Sequence, residues 1–379
     1  MVEQAVAVRN TDYIDVVEEF CYDSRNAQYN HDYHLWRKNT KSRFLYRCSQ
    51  NKKEHSYMDG TGFASTDVAI IERNTLQRVS ELLGLALLCF LICFLLCGSF
   101  LIWALQQLGM DIHLDFLTLT MGGSQWLVVG VRTLVVLVQY GSALLLLNHF
   151  FRLPTRVRVP FSLRAFPETV AAIGGAMLCA AVYCIPDYAL NSGAEAAQQL
   201  FSYKDTLAVT TYGLFDAVVV SILSELLLRG TLLPVLRQFG DRFAVLTVAG
   251  VAFLLPNALP ARLGECCVGM VSGYLLVKGG SFHNCVILRA VYAALIYARL
   301  SLVYQDDASL SIGGYLLILL AGFGLSSLFY WLERKNHLRF TNRDTYLPSG
   351  KKLLIFFETM TMLPWLAISL IFALIQLVC

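Results

Sequence analysis

The chain has 379 residues, 56% of them hydrophobic and only 15% charged, with a formal net charge of +3 and a mean hydropathy of +0.55. A soluble protein of this length carries about a quarter charged residues, and so small a net charge gives no footing for nucleic acid as a partner. These values exclude a soluble enzyme and point to an all-α, polytopic membrane bundle.

In chain order, residues 1–78 read as a polar cytoplasmic leader, loosely folded, with eleven basic and eleven acidic side chains. Val8, Ile14, Val16, Val17 and Phe20 hint at a short amphipathic helix. Cys21, His31, His34, Cys48 and His55 have no zinc-type spacing. No basic start followed by a short apolar core opens the chain, so no cleavable signal is expected.

From residue 79 to residue 379 the chain reads as a transmembrane domain of about eight or nine helices. The spans fall near 80–106, 125–151, 166–186, 205–236, 242–256, 261–278, 282–304, 310–332 and 353–377. A helix needs about 20 apolar residues to cross a hydrocarbon core of about 30 Å. The loop charges test this layout. With the leader in the cytoplasm, cytoplasmic connections carry thirteen basic side chains, from Arg152 through Lys278 to Lys352, and the opposite ones only Lys204 and Arg262. That asymmetry predicts a multi-pass protein of the cell membrane with a cytoplasmic N-terminus. The 242–256 and 261–278 spans are short and separated by Pro256 and Pro260. Such breaks at membrane depth face protein or a cavity. Cys89, Cys93, Cys97, Cys179, Cys184 and Cys285 lie in apolar runs, where cysteine behaves as a small hydrophobe.

Ionised groups inside apolar runs are costly and mark sites. Glu225 and Arg229 stand four residues apart, acid first, the favourable order for an intrahelical pair. Arg289 lies at similar depth in another span, which leaves a positive excess unless Glu265 or Asp216 joins the layer. None of the seven histidines falls mid-membrane, and His283 is the nearest. No Ser-His-Asp set, H-E-x-x-H or phosphate loop is present. The residues alone describe a polar cavity without an evident catalytic engine.

Residues 224–294 resemble the CPBP family, the intramembrane proteases related to CAAX-prenyl proteases and to bacteriocin self-immunity proteins. Ser224-Glu225-Leu226-Leu227-Leu228-Arg229-Gly230 fits its E-E-x-x-x-R-G motif except at the first position. Phe253 to Asn257 fits F-x-x-x-H with Asn in place of His. Gly269, Gly273 and Tyr274, then Gly279-Gly280-Ser281-Phe282, look like its glycine-rich helix and following turn. Counting onward places H-x-x-x-N on Arg289 and Ala293. The resemblance implies a CPBP-like core at about 205–304. It also implies that Ser224, Glu225, Arg229, Asn257, Arg289 and Ala293 occupy the family's site.

In that family the first Glu and the second-motif His are thought to activate water, directly or through a metal, and the third-motif His and Asn to hold an oxyanion or ligand. Here those positions hold Ser224, Asn257, Arg289 and Ala293, so no intact catalytic residue set and no metal or other cofactor is expected. Zinc or another divalent metal would be held only if the family site were functional. The expected function is that of a degenerate member binding a lipidated peptide, a transmembrane peptide or another membrane protein, with membrane lipids around it. An active endopeptidase with a rearranged site using Glu225 with Glu265 or His283, or a small-solute transporter, are the competing readings.

Overall fold

The computed structural model describes residues 64–115, 120–160, 166–190, 206–255, 259–278, 281–303, 308–334 and 347–378. The expected all-α membrane bundle is what it shows, with one short addition. A two-stranded antiparallel hairpin, β1 (Ile112–Asp115) and β2 (Thr120–Gly123), caps the link between the first two long helices.

Helix α1 (Ala64–Gln107) and helix α2 (Gln125–Phe151) pair as antiparallel neighbours. At 1.5 Å per residue α1 is about 66 Å long, roughly twice the hydrocarbon core, so it projects well beyond the bilayer. Its first fifteen residues fall within the stretch expected to be leader. Residues 64–78 are helical, and Leu76 is fully buried. Sequence polarity hid this because the stretch is stabilised by the far end of the chain. The remainder of the expected leader, 1–63, lies outside the described residues.

A one-turn helix, α3 (Thr155–Arg158), follows α2, and α4 (Phe166–Leu190) crosses back. Gly174 and Gly175 let α4 lie tightly between two partners. A Cβ on Gly174 would collide with Ser326, and one on Gly175 would come within 2.6 Å of Val271. Small residues at such contacts are how helices approach closely in lipid.

The next rod carries the motif. It runs as α5 (Thr206–Phe215), a π-helical turn (Asp216–Val220), α6 (Ser221–Leu227), a second π-helical turn (Leu228–Leu232), α7 (Leu233–Leu236) and a closing 3-10 turn (Arg237–Phe239). Helix α8 (Asp241–Leu254) and helix α9 (Leu259–Val277) form the short pair read from the sequence, and α10 (Phe282–Val303) returns beside them. Helix α11 (Ala308–Arg334) lies against α4. The chain closes with α12 (Ser349–Phe357) and α13 (Met362–Val378), which meet at 86°.

Among the described residues five helices are long and apolar enough to cross a membrane: those of α1, α2, α4, the motif rod and α11. The bent pair α12–α13 raises the number to six if it counts as one span. Helices α8, α9 and α10 fall outside that set. α8 is short, α9 carries Arg262 and Glu265, and α10 carries Arg289 and Arg299. Of the five, the motif rod is the most buried and α11 the least.

Among the described residues three apolar clusters result: a small one of Ile102, Ile112, Val131 and Val135 beside the hairpin, and two large ones. One joins α1, α2, the motif rod, α8, α12 and α13 through residues such as Leu83, Phe90, Leu232, Phe243, Phe356 and Trp365. The other joins α4, α9, α10 and α11 through Ala176, Val268, Leu288, Tyr292 and Leu319. The polar site lies where the motif rod meets α9 and α10.

Candidate functional site

Four ionisable side chains from three elements form one buried cluster. On the motif rod, Arg229 Nη1 donates to Glu225 Oε1 at 3.0 Å, and both side chains are fully buried. From α10, Arg289 reaches across to α9 and donates to both oxygens of Glu265, at 2.6 Å and 2.8 Å. This two-pronged contact is the strongest geometry a guanidinium offers a carboxylate. Arg289 Nη1 also stands 3.8 Å from Glu225 Oε1 and so couples the two pairs.

The cluster is therefore a tetrad of two carboxylates and two guanidiniums, in which Glu265 cancels the positive excess that Glu225 alone leaves. By depth along the two spans alone, Arg289 would pair with Glu225. Its first partner is Glu265, because the opposed side chains of α9 and α10 meet fork to fork, whereas Glu225 Oε1 is already taken by its own helical neighbour.

The backbone around the motif is unusual in a way that serves this geometry. Two π-helical turns bracket Ser221–Leu227, with Ser221 N–H bonding back to Asp216 O and Leu233 N–H to Leu228 O. Each π turn inserts one residue and rotates what precedes it by about 100°. Arg229 sits inside the second. Thr231 Oγ1 donates to Leu227 O, taking up a carbonyl that the wider turn loosens. Arg158 of α3 lies over Gly230, where a Cβ would come within 3.2 Å of its Cγ and its carbonyl oxygen.

Of the expected site residues, Ser224, Glu225, Arg229 and Arg289 lie together. Ser224 is buried, but its hydroxyl donates to Ser221 O at 3.1 Å rather than to the tetrad. Ala293 lies one turn beyond Arg289 on α10 and offers no polar group. Asn257 is outside the described residues. His283 is not at the tetrad and shares a 2.7 Å hydrogen bond with Ser281 Oγ at the start of α10.

Two buried tyrosines were not singled out by the sequence. Tyr140 of α2 lies within electrostatic reach of Arg289, Glu265, Asp216 and Glu225, and Tyr292 of α10 within reach of Glu265 and Arg289. The signal for the first was faint: Gln139-Tyr140 interrupts an otherwise apolar stretch of α2. Three polar atoms of the tetrad are buried without a hydrogen-bond partner among the described residues. They are Glu225 Oε2 and the Nε and Nη2 edge of Arg229.

The donor set does not suit a divalent metal. The tetrad's carboxylates, Glu225 and Glu265, each face a guanidinium whose charge opposes a dication. Among the described residues no three His, Cys, Asp or Glu side chains gather as a ligand set.

A multi-pass helical membrane protein with a buried ionic site at the meeting of three helical elements is the class this fold and site define. Residues 206–295 match the family model described as type II CAAX prenyl endopeptidase Rce1-like. That segment, 90 of the 379 residues, is what is similar to the family, and it holds all four tetrad residues. No curated protein and no solved structure matches the chain.

Proposed function

We propose that this protein is a catalytically degenerate CPBP-family member that binds a lipidated or transmembrane peptide, or a partner membrane protein, without cleaving it. One observation carries the reading: both carboxylates of the tetrad are engaged by guanidinium groups. A general base must be free to accept a proton from water. A carboxylate clasped by arginine holds its negative charge for that partner instead. The family's imidazole positions hold Asn257 and Arg289, and neither group can serve as a base or as an imidazole ligand. On this reading the tetrad organises the cavity, no zinc or other divalent cation is bound, and membrane lipids and an apolar ligand are the partners. The positive-inside bias supports a cell-membrane protein with its N-terminus in the cytoplasm.

A second reading, a rearranged endopeptidase, is favoured by the unengaged Glu225 Oε2. One experiment separates the two. The purified protein is incubated with an S-farnesylated peptide ending in a CAAX sequence and with a transmembrane peptide, and both binding and new peptide termini are measured. Binding without cleavage is expected. Cleavage that is lost in Glu225→Gln while the thermal transition holds would make Glu225 catalytic.

A further inference from the structure

Asp216 is an acid of the motif rod that belongs to neither ion pair. In a regular α-helix, residues nine apart lie about 180° apart, so Asp216 would face away from Glu225. The π-helical turn Asp216–Val220 inserts a residue and reduces that separation to about 80°. Asp216 consequently faces the site. Its electrostatic neighbours are Arg289 of α10, Glu265 of α9 and Arg132 of α2, and Tyr140 of α2 stands within reach of it.

Among the described residues nothing hydrogen-bonds to the Asp216 carboxylate and no ion pair within 4.0 Å holds it, whereas Glu225 and Glu265 are both engaged. Asp216 is also half-buried rather than sealed, unlike Glu225. A half-buried carboxylate inside a membrane-length helix cannot rest on acyl chains and has to open on a cavity or a ligand. In its ionised form a carboxylate is an acceptor only, with two oxygens to offer a donor. A peptide that enters a bundle in extended form brings unpaired main-chain N–H groups, which the hydrocarbon cannot satisfy.

We infer that Asp216 is a ligand-contacting residue of the site, accepting hydrogen bonds from the main-chain N–H groups of an extended peptide that enters on the side of α2 and α10. This rests on the ligand-binding reading above and adds to it the acceptor that recognises the peptide backbone.

The test uses the full chain in lipid nanodiscs. At a pH low enough to protonate Asp216, dicyclohexylcarbodiimide, an apolar reagent for protonated carboxyl groups within membranes, is expected to form one adduct, mapped by mass spectrometry to Asp216 and lost in Asp216→Asn. A fluorescent S-farnesylated CAAX peptide should protect Asp216 from labelling. Asp216→Asn should weaken its binding by about tenfold or more, the worth of a hydrogen bond to a charged group, with the thermal transition unmoved. N-methylation of the peptide backbone at the contact should weaken binding to the wild type and have little further effect on the variant.

No adduct, an adduct on Glu225 or Glu265 instead, or equal binding by wild type and variant overturns the role of Asp216 and leaves the non-catalytic reading standing. Cleavage of the peptide by the wild type overturns the non-catalytic reading and leaves the Asp216 contact standing. A wild type that binds neither form of the peptide overturns both.

Discussion

Replacing Glu265 by Gln probes the tetrad most directly. The change keeps side-chain volume and one acceptor oxygen, so its cost is electrostatic. It removes the charge beneath the two short bonds from Arg289, at 2.6 Å and 2.8 Å. The remaining carboxylate is Glu225, 3.8 Å away and already holding Arg229 at 3.0 Å. Breaking a buried pair from one side costs about 3–5 kcal/mol, because a charge stays behind. Arginine cannot shed its proton to escape that cost. The converse variant, Arg289→Met, leaves a carboxylate that can take up a proton. It should therefore cost less, about 1–3 kcal/mol, the penalty of a buried polar group short of a partner. Glu265→Gln with Arg289→Met together should recover most of the loss, since a buried pair replaced as a unit is often neutral. The assay is equilibrium unfolding in mixed micelles, run on the wild type, both single variants and the double variant as a cycle. The expected order of stability is wild type and double variant highest, Arg289→Met next and Glu265→Gln lowest. A double variant no more stable than Glu265→Gln, or a Glu265→Gln protein as stable as the wild type, would refute the tetrad as the organising element.

Three further outcomes follow from the same structure. Lys352→Met should destabilise the fold by about 3 kcal/mol, because buried Lys352 Nζ holds Glu72 Oε1 at 2.8 Å and Phe239 O at 2.6 Å; an unchanged thermal transition would refute this clamp between the ends of the chain. Gly269→Val should force α8 and α9 apart, since a Cβ there lies 2.7 Å from Ala249 Cα, at a cost of about 1–3 kcal/mol, read as earlier unfolding and faster proteolysis. Elemental analysis of protein purified without chelator should find far less than one zinc per chain; one equivalent, lost on mutating Glu225 or Glu265, would reverse the judgement on metals.

The sequence by itself determined the class of fold, most of the helix layout and three of the tetrad's members. Apolar runs of membrane length speak locally, and a charge within such a run is legible because hydrocarbon tolerates so few. The E-x-x-x-R spacing on one helix made the Glu225–Arg229 pair a local fact as well. The partner of Arg289 was not local. Glu265 lies on another helix 24 residues away, and only the packing of α9 against α10 aims the carboxylate at the guanidinium. Residues 64–78 likewise gain their helix from Lys352 and Phe356 near the other end of the chain, which no window over polar residues could register. Asp216 shows the limit most clearly. Its spacing from Glu225 places it on the opposite face of an α-helix, and only the π-helical turn in the folded rod rotates it toward the site.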